Sequence, residues 1–541
     1  MSSLAPNDTS FPPSVDTNAY NSVVEMFDEA CHKFADLPAF TNFGQTLTYA
    51  DIDQKSRDVA AYLQNVLGLK KGDRVASMMP NILGFPIVMF GILRAGLVQV
   101  NVNPLYTAHE LRHQLNDAGV ETIFIFSGVS GTLAEIVADT GVRNTVIVNL
   151  GDGSGSNLPS PPAADQFAQH PTLNDVIESG HDLSFTPVPL NQSDLIYLQY
   201  TGGTTGLSKG AMLSHGNLVA NVMMYDGVAG SVTEEGSEII ITALPLYHIF
   251  ALMVNCLSYC RYGAHNILIT NPRDMPGFVA ELAKWKFTAI SGVNTLYNGM
   301  LHTPGFADLD FSGLKFAWGG GSAIQKAVSD KWKALTGNHI KEGYGLSETS
   351  PIVTLNPPLL DEFSETVGLP FPSTEISLRD ENGAVVDDGE AGELCVRGPQ
   401  VMQGYWNNEG ATTDVMTDDG YFRTGDVGLK QPNGYFKIVD RIKDMVLVSG
   451  FNVYPNEVEA VIAEIPGVVE VAVIGVPDQR TGEALRAFVV IGQDGPTQAE
   501  IEEHCHKFLT NYKVPKQIQF IDDLPKSTVG KILRRELRDA S

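Results

Sequence analysis

The sequence predicts an α/β protein in which a large N-terminal part built from several sheets is followed by a small α+β unit. Three observations carry this. At 541 residues the chain exceeds what one hydrophobic core accommodates, so two or more domains are expected. Between Arg74 and Leu150 short apolar runs alternate with helical patterns, as in a sheet covered by helices. Past about residue 435 the character changes to a compact unit small enough to fold by itself. The expected division is 1–440 and 441–541.

Taken in order, Val75 to Met79 reads as a strand, Pro86 to Arg94 as a helix and Val98 to Val102 as a strand. Thr107, with Glu110 three residues on, has the capping-box spacing that opens a helix. Val120 to Phe126 and Thr145 to Leu150 read as further strands, and the Gly/Ser/Pro-rich stretch 151–164 as a surface excursion. Leu195 to Tyr200 is a strand candidate, Ala211 to Met224 is expected to enter a helix through Ser214, and the sheet pattern resumes at Ile239 to Leu244. In the last hundred residues Val468 to Val476 and Leu485 to Ile491 alternate like strands, while Pro455 to Ile465 and Gln498 to Leu509 are amphipathic.

A formal net charge of −27 argues against general nucleic-acid binding, which needs basic surface to replace counterions. Positive charge gathers instead near the end, at Lys507, Lys513, Lys516, Lys526, Lys531, Arg534, Arg535 and Arg538. The five cysteines are scattered, which suits a reducing compartment, and Cys256 and Cys260 lack companions for a zinc site. The polar N-terminus has no basic-then-apolar leader, so secretion is not expected. The most apolar stretches, Met78 to Val102 and Ile249 to Tyr262, are broken by Pro80, Asn81, Pro86 and Arg94 or by Asn255 and Arg261. A cytoplasmic protein is expected.

Chemistry concentrates at Tyr200 to Ala211, YTGGTTGLSKGA. Its glycines let the backbone approach a polyanion, Thr201, Thr204 and Thr205 offer hydroxyls and amides, and Lys209 adds positive charge. It is not a Walker A loop, since Lys209 lies between Ser208 and Gly210. Four later segments also set glycine beside charged or aromatic residues: KEGYGLSET from Lys341, YFRTGD from Tyr421, DRIKDMVLVSGFNVY from Asp440 and LPKSTVGKILRREL from Leu524. Taken singly, Glu348 reads equally as a solvated residue at a helix start, Asp426 as a solvated turn residue and Lys531 as a solvated lysine.

Together and in this order, the five segments resemble those of the adenylate-forming superfamily of acyl-CoA synthetases, luciferases and peptide-synthetase adenylation domains. NVNPLYTAHELRHQLNDAG, LPLYHIFAL, GVNTLYN, GGGSAI and VSGFNVYPNEVE look like bacterial long-chain fatty-acid CoA ligases in particular. The resemblance runs from about residue 20 to the end. One departure lies in the loop, where Gly203 and Ser208 stand at positions that hold Ser/Thr and Pro in most of the superfamily; the glycine pair resembles the long-chain subgroup.

The resemblance implies a two-step reaction with ATP, Mg2+ and coenzyme A: a fatty carboxylate attacks the α-phosphate, pyrophosphate leaves, and the CoA thiol takes the acyl group from the adenylate. It implies that Thr201 and Glu348 position Mg2+, that Gly202, Gly203, Thr204, Thr205, Gly206 and Lys209 hold the β and γ phosphates, and that Lys531 bridges carboxylate and α-phosphate. Tyr344 would stack on adenine in a pocket lined by Gly320, Gly321, Gly343 and Gly345, with Asp426 and Arg441 on the ribose. Lys443 would be the hinge of a mobile C-terminal domain, and the Gly450 strand would be presented to pantetheine. His248, Gly292 and Val293 would line the acyl site, with the tunnel near Ile249 to Val254 and Gly292 to Leu296; by its surroundings alone His248 reads equally as a core residue. The alternatives are a medium-chain or aryl acid ligase of the same superfamily and a non-catalytic acyl- or nucleotide-binding protein. Transient contact with a membrane surface is compatible with a long-chain substrate.

Overall fold

A computed structural model of the protein describes residues 10–201, 208–492, 495–527 and 530–539. A six-stranded sheet runs in the spatial order Asn144–Val148, Thr122–Phe126, Arg74–Met78, Val98–Asn101, Leu195–Thr201 (β1) and Lys209–Ser214 (β2). All pairs are parallel except the last, in which β1 and β2 are antiparallel. The strands and helices expected between Arg74 and Leu150 are present. Helix Ala108–Ala118 (α1) starts with the expected capping box of Thr107 and Glu110, and Gly119 ends it in the left-handed conformation.

As expected, the chain enters a helix through Ser214, whose hydroxyl caps His215–Ala229 (α2), and the residues before it, Lys209–Ser214, form a strand. One expectation needs correction. The stretch 151–164 is not wholly superficial, because Gly151, Asp152 and Gly153 are buried. There Asp152 accepts the Asn149 amide at 2.8 Å and Asn174 accepts the Gly153 amide at 2.8 Å, which pins the turn inward.

A nine-stranded sheet has the order Leu369–Pro370, Ile352–Leu355, Lys341–Gly345 (β3), Phe316–Gly319, Ala289–Gly292, Ile239–Thr242, His265–Leu268, Pro38–Asn42 and Gln45–Thr48. Its inner strands are parallel and apolar on both faces, as expected for a sheet covered on each side. The antiparallel four-stranded sheet Glu375–Arg379, Ala391–Arg397, Phe422–Lys430 (β4) and Phe436–Arg441 (β5) follows.

After Arg441 the next strand begins at Val446. Strands Phe451–Val453, Val446–Val448, Gly482–Ile491 and Val468–Asp478 form the last sheet, with Gln517–Phe520 also beside Gly482–Ile491. Helices Pro455–Ala463 (α3) and Gln498–Phe508 (α4) pack on it around Val446, Val458, Ile462, Val473, Leu485 and Ile501, a core separate from those of the larger sheets. Helix Arg534–Asp539 (α5) ends the described chain. Among the described residues no helix is long and apolar enough to cross a membrane. All five cysteines are buried and unpaired.

Candidate active site

The β1–β2 hairpin carries Thr201 at the end of one strand and Lys209 at the start of the other, and the two residues are direct cross-strand partners. Of the expected phosphate loop, Gly202, Gly203, Thr204, Thr205 and Gly206 lie outside the described residues. Helix α1 holds both flanks of the loop. His113 of α1 bonds through Nε2 to the Ser208 carbonyl at 2.9 Å, and Tyr200 donates its hydroxyl to Asp117 of α1 at 2.5 Å.

Glu348 sits on a 3-10 turn, Ser347–Thr349, just beyond β3, and this turn packs against β1 and β2. The carboxylate is buried rather than solvated, and its Oε1 accepts the Tyr405 hydroxyl at 2.8 Å. Burial pushes its pKa up, opposed by the Tyr405 hydrogen bond. The ring of Tyr405 lies under Lys209, with Nζ 4.8 Å from the ring centre. Among the described residues no lysine or arginine is within 4.0 Å of Glu348, and no cluster of three or more His, Cys, Asp or Glu side chains could bind a metal alone. A carboxylate and a threonine hydroxyl, without a protein cage, fit a hard divalent cation that takes its remaining ligands from phosphate and water.

The second group is built across β3, β4 and β5. Cross-strand pairing sets Asp426 opposite Arg441, and their side chains form an ion pair at 3.1 Å. Tyr344 donates its hydroxyl to the other Asp426 oxygen at 2.6 Å. Burial and the adjacent carboxylate both raise the Tyr344 pKa. Asp426 is thus buried in a strand, not solvated at a turn, and each of its two oxygens has its own partner.

Lys531 reaches this group from the C-terminal unit. Its turn is closed by the Ser527 amide donating to the Lys531 carbonyl at 2.7 Å, and by the Lys531 amide donating to the Ser527 hydroxyl at 3.1 Å. The preceding Gly530 has φ +79 and lies against Val293 and Thr295, where the Thr295 hydroxyl donates to its carbonyl at 3.2 Å. Burial and then repulsion by Arg441 lower the Lys531 pKa to about 8, with Asp426 pulling the other way. His248 feels the same ammonium: burial first, then Lys531, lower its pKa to about 4, and its Nδ1 accepts the Phe250 amide at 3.3 Å. Neutral at ordinary pH, His248 caps its own turn.

The glycines are distributed unevenly. A Cβ on Gly320 would meet the Phe250 ring at 3.2 Å and the Gly343 carbonyl at 3.3 Å, which places Phe250 beside the expected adenine pocket. Gly343 and Gly345 press on the neighbouring strand, at Leu355 and at the Pro351 carbonyl respectively, and Gly292 presses on Tyr297. Gly321 lies near Val293. Gly450 occupies an exposed turn between Val446–Val448 and Phe451–Val453, and Lys443 is exposed in the 442–445 link.

Sequence reasoning missed Tyr405, Thr295 and Glu342. Gly404-Tyr405 has the same pairing of glycine with an aromatic residue that singled out the other segments, so a signal existed. Thr295 and Glu342 had none: the first acts through a carbonyl far along the chain. The second is a carboxyl on β3 whose pKa burial raises to about 8 while it accepts the Ile324 amide at 3.2 Å.

The chain matches the family model described as AMP-binding enzyme over residues 27–406 and that described as AMP-binding enzyme C-terminal domain over residues 457–531. It is 49% identical to a long-chain-fatty-acid–CoA ligase of Yersinia pestis, covering 98% of this chain and 96% of the relative. ATP-bound MatB from Rhodopseudomonas palustris superposes with a TM-score of 0.83 at 30% identity, covering 96% of this chain and 99% of that one. An anthranilate CoA ligase, AuaEII, crystallised with anthranoyl-AMP, gives a TM-score of 0.87 at 24% identity over 99% of both chains, which shows a shared fold alone.

Proposed function

The chain belongs to the AMP-binding enzyme family, and from that premise we propose that it activates a long-chain fatty acid with ATP, releasing pyrophosphate, and passes the acyl group from the adenylate to CoA. The family membership read from the ordered motifs is borne out. The observation that supports the mechanism is the seat of the Lys531 turn against Val293 and Thr295, within electrostatic reach of Arg441 and Asp426.

In the adenylation step negative charge grows on the α-phosphoryl oxygens and on the departing pyrophosphate, and fixed cations and amides are what stabilise it. Lys531 is proposed to bridge the attacking carboxylate and the α-phosphate. The Asp426 carboxylate, oriented by Arg441 and Tyr344, keeps lone pairs for the vicinal ribose hydroxyls. Gly202, Gly203, Thr204, Thr205, Gly206 and Lys209 are assigned the β and γ phosphates, and Tyr344 with Gly320, Gly321, Gly343 and Gly345 the adenine. Mg2+, when bound, neutralises phosphate charge, and Glu348 with Thr201 would hold it. His248, Gly292 and Val293 are assigned to the acyl end.

For the second step residues 441–541 are proposed to turn about Lys443 as a unit separate from 1–440. Lys531 then leaves, and Gly450 is presented to the pantetheine arm. A separate core and a short exposed link at Ile442 and Lys443 support that division. We assign the protein to the cytoplasm, with transient contact at the inner membrane face when substrate is collected; lysate fractionation tests that placement.

The decisive assay is ATP- and CoA-dependent pyrophosphate release over acids of rising chain length. Preference for long-chain acids is expected, a preference for benzoates would overturn the substrate class, and no turnover of any acid would overturn the enzymatic reading. Lys531→Ala is expected to slow adenylate formation by about 100-fold or more, the scale of losing one transition-state cation or donor, while thioester formation from supplied acyl-adenylate survives. Equal loss in both half-reactions would contradict its assigned role.

A further inference from the structure

The segment that follows the third sheet's second strand lies between the two halves of the triphosphate site and bonds to both. At one end the Met402 amide donates to the Glu348 carbonyl at 2.8 Å. At the other, the Met212 amide of β2 donates to the Gly404 carbonyl at 2.9 Å, and the Trp406 amide donates to the Gly210 carbonyl at 2.8 Å. Between them Tyr405 pairs with Ala211 as an isolated antiparallel bridge, its amide held by the Thr412 hydroxyl at 2.9 Å. Its side chain makes two contacts at once: the phenol donates to Glu348 Oε1 at 2.8 Å while the ring face lies beneath the Lys209 ammonium.

We propose that Tyr405 is the positioning residue of the triphosphate site, fixing the Glu348 carboxylate toward the divalent cation and setting its distance from Lys209. Glu348 forms no ion pair among the described residues, and the phenol is the side chain that hydrogen-bonds its carboxylate. A carboxylate with one oxygen occupied by a short donor presents the other in a fixed direction, which lowers the ordering cost when a metal–nucleotide complex arrives. The ring performs a separate task, because a lysine stem lying over an aromatic face loses rotamer freedom before the phosphates bind. Hydroxyl and ring can therefore be separated by mutation.

The inference rests on the reading of Glu348 as the metal carboxylate, and the test separates the two. The probe is Mn2+ binding, followed by electron paramagnetic resonance, to full-length protein holding an ATP analogue with a methylene bridge between the α and β phosphates, so that no turnover occurs. Glu348→Gln tests the underlying reading: it should remove the protein-dependent part of Mn2+ binding. Tyr405→Phe keeps the ring and should weaken Mn2+ binding roughly tenfold, the scale of one hydrogen bond to a charged group, while metal-free analogue binding changes less than twofold. Tyr405→Leu should add a loss of a few-fold in metal-free analogue binding. If Glu348→Gln weakens Mn2+ and Tyr405→Phe does not, or if Tyr405→Phe weakens metal-free binding equally, the positioning role is overturned. If Glu348→Gln leaves Mn2+ binding intact, the metal reading falls and this inference with it.

Discussion

Gly530→Ala is the substitution by which the structure makes its sharpest claim about Lys531. At φ +79 an L-residue is strained by about 1–2 kcal/mol. The added Cβ would also sit 2.7 Å from the Thr295 hydroxyl and 2.9 Å from a Val293 methyl. Relief requires the turn to lift, and lifting breaks the 3.2 Å bond from the Thr295 hydroxyl to the Gly530 carbonyl, a further loss of about 1 kcal/mol. Together the seated turn becomes less favourable by about 2–3 kcal/mol, which is roughly a 30- to 150-fold fall in kcat/KM if seating is needed in the transition state. Pyrophosphate release without CoA measures adenylation, and thioester formation from synthetic acyl-adenylate measures the other half. The expected pattern is a fall of that size in the first and little change in the second. A loss under threefold in adenylation, or the same loss in both, would mean that the contact with Val293 and Thr295 does not seat the catalytic turn.

Two other outcomes follow from buried charge. Because the ammonium is the active form and Lys531 is lowered to about 8 by burial and Arg441, kcat/KM for adenylation should fall as pH rises through about 8, and Lys531→Arg should shift that limb out of range; an unchanged limb in the arginine variant assigns it to another group. Arg94, 2% exposed, joins Asp28 at 2.6 Å and Asp53 at 2.5 Å across three helices, so Arg94→Ala should cost about 3 kcal/mol of stability, read from the denaturant midpoint and slope. A change below about 1 kcal/mol would show that the cluster behaves as a surface ion pair.

Local signals were legible where they are self-contained. The capping hydroxyls of Thr107 and Ser214, the alternation of Val468–Asp478 and the amphipathic pattern of α3 depend on neighbours within a turn or a strand. What escaped depends on distant partners. Lys209–Ser214 becomes a strand because β1 supplies its hydrogen bonds, a pairing that no window of its own sequence contains. Glu348 and Asp426 read singly as solvated, yet each is buried against groups outside its own segment: Tyr405 for one, Tyr344 and Arg441 for the other. A motif names the residue that performs the chemistry and omits the one that aims it, which is why Tyr405 and Thr295 surfaced only with the fold.

The position of Lys531 is referred to the same strand that holds Asp426's partner. Three residues beyond it, Arg534 donates to Glu459 at 2.7 Å and Asn456 at 2.5 Å, and reaches Asp444 at 3.3 Å and Asp440 at 3.5 Å. Asp440 immediately precedes Arg441 and accepts the Asn456 amide at 2.9 Å. The segments of Arg441 and Lys531 are therefore both tied to one buried carboxylate, whose pKa burial raises to about 6 against the pull of Arg534. Under a rotation about Lys443, Glu459, Asn456 and Asp444 would travel with Arg534, while the bonds to Asp440, the Asn456 side-chain bond to the Val439 carbonyl at 3.2 Å and the Thr295 bond to the Gly530 carbonyl would be broken. A carboxylate left buried without its amide and guanidinium partners is costly, so departure is favoured only when water or another donor replaces them. On the proposed rotation, release of Lys531 would be coupled to partial rehydration of Asp440, which keeps the Arg441 amide at 2.7 Å.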